Sequence, residues 1–204
     1  MGARTMTENI IFVDIDGVLL PLNECRIWKN AALLRSRPTG FMQHLRFNAE
    51  AVRLLVCLAD LAEAKLVLSS NWRRSWGPDS DALMDKLVSE GLRRDLWHED
   101  WFVPLFGLEP RKFDELADWL DDHPPCKALI IDDEEYRGPP LVAGSAAVLQ
   151  IDEKTGYTPA DHKRACEFFG VGDSMPPADP PSGRPLRPDS KAPVTRPLRP
   201  YSPM

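Results

Sequence analysis

No apolar stretch in this chain of 204 residues approaches the ~18 consecutive residues that span a bilayer. The N-terminus lacks the apolar block and small-residue cleavage site of a secretory signal, so the cytoplasm is the expected home. Cysteine is scarce. Cys25, Cys57, Cys126 and Cys166 lie far apart with no C-x-x-C pair, which points away from both a zinc site and a disulfide framework. Positive charge is short as well, with 25 Lys and Arg against 31 Asp and Glu. Residues 175–204 carry five cations against two acids, so the tail is +3 and residues 1–174 hold the remaining -9 of the net -6. A body that acidic is not a general nucleic-acid binder, and any grip on a polyanion has to be local.

What is present is organised around residues 10–20, Ile-Ile-Phe-Val-Asp-Ile-Asp-Gly-Val-Leu-Leu. Ile10 to Val13 do not alternate with polar residues, the mark of a strand buried on both faces of a parallel sheet. Asp14 and Asp16 follow at its carboxyl end, on the same side if the chain stays extended, and Gly17 permits a sharp turn beyond them. Two carboxylates held that close repel unless a cation lies between them, so a hard metal and a phosphate are expected at this edge.

The remaining chain alternates helix and strand. Residues 17–48 are too long for an ordinary loop and predict a small flap, with Arg26, Lys29, Arg35, Arg37 and Arg46 facing one acid, Glu24: an electropositive lid or a solvated insertion. Asn48 caps a helix over 49–63 with Val52, Leu55, Val56, Ala59 and Ala62 on one face. Lys65 to Ser70 is a second buried strand, running into Asn71, Trp72 and Arg73, whose amide and guanidinium suit phosphoryl oxygens, as do the hydroxyls of Ser69 and Ser70.

A second helix starts at Pro78, Asp79 and Ser80 and stops at Gly91, and a third strand is expected around Trp101 to Phe106. His98, Glu99 and Asp100 are adjacent and cannot all converge on one ion in regular structure, which makes them a solvated loop. Pro110 to Asp121 forms a third helix. Lys112 in its first turn opposes the helix dipole unless an anion is near. Ala128 to Ile131 is a buried strand ending in Asp132, Asp133, Glu134 and Glu135. A fifth strand, Ala146 to Ile151, a Thr155-Gly156 turn and a helix from Pro159 to Phe169 complete a domain over 1–174. Residues 175–204 hold half of the 20 prolines and two copies of Arg-Pro-Leu-Arg-Pro, a disordered or polyproline tail able to dock on a partner's aromatic groove.

Strands alternating with helices predict an α/β, Rossmann-like three-layer sandwich, with a mostly parallel sheet of about five strands and a minimal flap. The order of strand ends, Phe12-Val13-Asp14-Ile15-Asp16-Gly17-Val18, then Leu66-Val67-Leu68-Ser69-Ser70, then Lys112, then Ile130-Ile131-Asp132-Asp133, resembles the haloacid dehalogenase superfamily of aspartate-nucleophile phosphatases. Ser-Ser-Asn-Trp-Arg followed by Ile-Asp-Asp-Glu is similar, more narrowly, to the small domains of this type in RNA-repair proteins.

The resemblance implies a Mg²⁺-dependent phosphatase with Asp14 as nucleophile, Asp16 as general acid and base, Ser70 (or Ser69) on a phosphoryl oxygen and Lys112 offsetting charge. Asn71 and Arg73 are expected to bind substrate. Metal ligands would come from Asp14, the Asp16 carbonyl, and Asp132 or Asp133. No room is left for a large cap, so the substrate is expected to be a nucleotide, a nucleic-acid end or another bulky phosphomonoester, held by the flap and a ring such as Trp72 or Trp76. Two other classes compete: a receiver-type signalling domain, whose acid pair would come early rather than late, and an inactive binding module working through the Pro/Arg tail.

Overall fold

The computed structural model describes residues 7–76, 80–105, 112–141 and 145–173, and the tail at 175–204 lies outside them. β1 (Asn9–Val13) occupies the middle of a five-stranded, all-parallel sheet of order β3-β2-β1-β4-β5, with β2 (Ala64–Leu68), β3 (Trp97–Phe102), β4 (Lys127–Asp132) and β5 (Ala146–Gln150). Its central position explains the unbroken apolar run: Ile10, Ile11, Phe12 and Val13 are all fully buried.

Alternation along the strand sorts these side chains into two cores. Ile11 and Val13 join Leu54, Leu55 and Leu58 of α3 (Ala49–Leu61) and Ala165 and Cys166 of α7 (Pro159–Phe169). Ile10 and Phe12 join Leu116 and Trp119 of α6 (Lys112–Asp122), with the Phe12 and Trp119 rings 5.1 Å apart, edge to face. Helices therefore cover both faces, which gives the three layers expected.

The flap begins with α1 (Leu22–Arg26) and α2 (Trp28–Ser36) and ends in a short 3₁₀ helix, Phe41–His44. Its base is clamped, because Leu19 and Val18 carbonyls accept from the Asn48 and Tyr157 amides at 2.8 and 3.0 Å. Its far side is stapled by Asn30, almost wholly buried, which exchanges two 2.8 Å bonds with the Arg46 backbone. Of its cations, Arg46 pairs with Glu90, and Arg35 lies in the last turn of α2, where a positive charge complements the helix dipole.

Asn48 caps α3 by accepting from the Ala51 amide at 2.9 Å, and Thr158 with Asp161 forms a capping box on α7. α4 (Trp72–Ser75) and α5 (Ser80–Ser89) follow β2; the Pro78-Asp79 start assigned to the latter, and Pro110 at the head of α6, fall outside the described residues. One strand lies elsewhere than expected. β3 covers Trp97–Phe102 rather than Trp101 to Phe106, so His98-Glu99-Asp100 is strand, not loop. Edge strands bury only part of their side chains, and β3 also shifts register against β2 between Leu66 and Leu68, which blurs its apolar pattern.

Candidate active site

The same alternation that places Ile10 and Phe12 against α6 carries Asp14 to that side, and Ala128 and Ile130 carry Asp132 there from β4. The Val13–Ile131 register sets the two strand ends side by side, with the Asp14 amide donating to the Ile131 carbonyl at 3.1 Å. Lys112 opens α6 on this face. Its ammonium contacts the Asp14 carboxylate and lies 2.6 Å from Asp132 Oδ2, which resolves its placement against the helix dipole.

The other oxygens are held by backbone. Asp14 Oδ1 accepts from the Ile15 amide at 2.6 Å, and Asp132 Oδ1 from the Glu134 amide at 2.9 Å. Asp133 completes the group: Asp14, Asp132 and Asp133 each present an oxygen within 4.8 Å of the others. Gly17, at φ +72°, lies against the Asp133 carboxyl so closely that a Cβ would fall 2.3 Å from its Cγ, so this position needs glycine for both conformation and space.

Three carboxylates around one ammonium are not neutralised. Burial, then repulsion from Asp14, raise Asp132 despite the Lys112 contact, and the same two causes push Asp133 to about 6. Burial works against the charge of Lys112, but Asp14 and Asp132 outweigh it and raise its pKa. The donor set, oxygen only and short of positive charge, fits a hard divalent cation such as Mg²⁺.

Asp16 is open to solvent on one side, yet the protein atoms crowding the other raise its pKa, with Asp14 adding to the shift. The Trp72 indole N–H opposes this by donating to both of its oxygens at 3.1 Å. Trp72 was expected to offer an exposed ring; it is buried, edge-on to Phe47 and stacked 6.5 Å from Trp76. Its contact with Asp16 has no signature in the sequence beyond the Trp itself.

Ser70 is fixed from two directions: its Oγ accepts from the Trp72 amide at 3.4 Å and its carbonyl from Arg73 Nε at 2.7 Å. The Oγ of Ser69 and the Oδ1 of Asn71 are buried without a partner. Arg73 is otherwise than expected. Its guanidinium is buried against the Val103 and Pro104 carbonyls and the fully buried Glu115, which also takes Arg74, so it ties α4 to α6. Arg73→Met should therefore lower stability by about 1–3 kcal/mol, by taking one of the two guanidinium partners of Glu115 and the donor of the Val103 carbonyl, while KM for p-nitrophenyl phosphate stays within about twofold. A raised KM at unchanged melting temperature would instead put Arg73 on the substrate.

A model of the family described as the HAD (haloacid dehalogenase) domain in Swiss Army Knife RNA repair proteins matches residues 10–162. The chain belongs to this family. The matched span runs from β1 into α7 and so contains every residue of the site above. Comparison with curated proteins and with solved structures found no match.

Two further groups of metal-binding residue types come together in this HAD domain. His98 and Asp100 share a side of β3 and meet His123, whose Nε2 is 3.1 Å from Asp100 Oδ2 and whose Nδ1 donates to the Trp119 carbonyl at 2.6 Å. His162, Cys166 and Asp173 form the other, with Cys166 Sγ 3.6 Å from His162 Nε2 and burial pushing the thiol to about 11. In both, internal contacts already engage the histidines. No helix among the described residues is long and apolar enough to cross a membrane.

Proposed function

We propose that this HAD domain is a Mg²⁺-dependent phosphatase that removes phosphate from a nucleotide or nucleic-acid end through an aspartyl-phosphate on Asp14. The observation that carries the reading is the meeting of Asp14, Asp132, Asp133 and Lys112 at the carboxyl edge of the central strands, within the span that matches the HAD family.

Asp14, in contact with Lys112, attacks phosphorus in line, and the bond to the leaving oxygen breaks as Asp16 gives that oxygen its proton. Asp16 then takes a proton from water, which attacks phosphorus and releases inorganic phosphate and free Asp14. The Ser70 hydroxyl and the Asn71 side chain hold phosphoryl oxygens, and Lys112 spans nucleophile and phosphate. Mg²⁺ would be held by Asp14, Asp132 or Asp133 and the Asp16 carbonyl, and would cancel repulsion between carboxylate and phosphate. The competing reading, an inactive module acting through its Pro/Arg tail, gains no support from the described residues.

Hydrolysis of p-nitrophenyl phosphate with and without Mg²⁺ tests the proposal: metal-dependent turnover supports it, and none with either wild type or any divalent ion overturns it. Trp72→Phe tests the acid. Losing the indole N–H removes an influence that holds Asp16 down, so the alkaline limb of the kcat/KM profile should move to higher pH and kcat fall by roughly tenfold. An unmoved limb would detach Trp72 from proton transfer.

A further inference from the structure

We propose that the cavity between the flap and α4 receives the nucleobase of the substrate, an extension that rests on the phosphatase reading above. The cavity encloses about 320 Å³ and is lined by Phe41, Met42 and Gln43 of the flap's 3₁₀ helix and by Ser75 and Trp76 at the end of α4.

Its position follows from the order of contacts. Trp76 stacks on Trp72 with ring centroids 6.5 Å apart and planes 20° from parallel, and Trp72 donates to Asp16. Asp16 is the group that protonates the leaving oxygen, so the alcohol from which phosphate departs must lie on the Asp16 side of the phosphorus. The cavity begins one indole beyond that point. The indole itself occupies that interval, so on this assignment the ribose passes over the Trp72 edge from the open side of Asp16 and delivers its base to the space beyond.

The lining selects among alcohols. Phe41 and Trp76 offer ring faces and Met42 a polarisable thioether, surfaces that suit a flat ring. Gln43 and Ser75 supply donors and acceptors of both kinds, which suit carbonyl and amino edges. No charged side chain is among the described residues lining it, so a second phosphate or an acidic peptide finds no counter-ion there. A phosphotyrosine ring carries its phosphate directly and would stop at Asp16, short of the cavity. At the small end of ligand pockets, the volume suits one base rather than a duplex.

Steady-state kinetics on 5′-AMP, 3′-AMP, ribose 5-phosphate and a phosphotyrosine peptide test this in wild type, Trp76→Ala, Trp76→Phe and Gln43→Ala. The nucleotides should exceed ribose 5-phosphate in kcat/KM by roughly tenfold or more, the usual return of one base–aromatic stack. Trp76→Ala should raise KM for the nucleotides by about the same factor with kcat nearly kept, Trp76→Phe should recover most of it, and ribose 5-phosphate should respond far less.

Gln43, exposed on the flap, gives the same readout if Trp76→Ala fails to fold. Equal use of nucleotides and ribose 5-phosphate, equal losses for both in the variants, or preference for the phosphopeptide would overturn the assignment. Should no phosphoester be hydrolysed, the phosphatase reading fails by itself. Calorimetric binding of 5′-AMP against ribose 5-phosphate then decides the cavity, with equal affinity counting against it.

Discussion

Asp14→Asn should reduce turnover of p-nitrophenyl phosphate by roughly 10⁴-fold or more and, without divalent metal, make the protein melt higher than wild type. On the proposed mechanism the loss follows from replacing the attacking carboxylate with an amide. The gain follows from the charge count, since in wild type three carboxylates crowd a single ammonium. An amide keeps the oxygen that accepts from the Ile15 amide while deleting one negative charge. A rise of about 2–4 °C corresponds to about 1 kcal/mol in a domain of this size. Mg²⁺ should then raise the melting temperature of wild type more than that of the variant. Retained turnover would remove Asp14 as nucleophile, and a lower melting temperature in chelator would show that charge crowding is not what strains the site.

Lys112→Met is the second large effect, and here activity and stability should fall together. The ammonium is 5 % exposed and touches two carboxylates, and removing it leaves buried negative charge with no counter-ion. The expected cost is about 3–5 kcal/mol near pH 8. It should shrink on acidification, and the sign can be worked out. Asp132 and Asp133 have folded pKa values above the ~3.9 of an unfolded aspartate, so between those limits the native state binds more protons than the unfolded one. Stability from these two groups is fully present below about pH 4 and is lost as pH climbs through the raised values, near 6 for Asp133. Metal-free wild type should show the same slope less steeply, and Mg²⁺ should flatten it. Urea titrations of both proteins at pH 5.5 and 8, with chelator and with Mg²⁺, measure the difference; equal losses for Lys112→Met at the two pH values would reject this electrostatic account.

Much of this molecule was legible before any coordinates. Unbroken apolar runs identify β1, β2 and β4 because these strands are covered on both faces, 3.6-residue spacing after the Asn48 cap gives α3, and the Pro159 start gives α7. The carboxylates could be read as a group because each pair follows a buried strand at its carboxyl end and the order of strand ends resembles the haloacid dehalogenase superfamily; the adjacency of β1 and β4 is visible only in the structure. What the sequence left hidden depended on distant partners. Arg73 beside Ser70 and Asn71 reads as an anion ligand, and only Glu115, 42 residues away on α6, turns it into a buried tie. Trp72 reads as a platform for a ring until Phe47, from the flap's end, packs against it. β3 escaped for a different reason: an edge strand interleaves His98, Glu99 and Asp100 with tryptophans, and neither two-residue nor helical spacing results.

The central place of β1 has a consequence for biosynthesis. Asp14 leaves the ribosome 98 residues ahead of its ammonium partner, and its neighbour strand β4 follows later still. A nascent chain with β1 and β2 in place therefore carries an apolar strand with one edge uncovered, and its acids have nothing to neutralise them. Only when β4 enters beside β1 does that edge close, so the cluster of Asp14, Asp132 and Asp133 assembles after the Lys127–Asp132 segment has emerged.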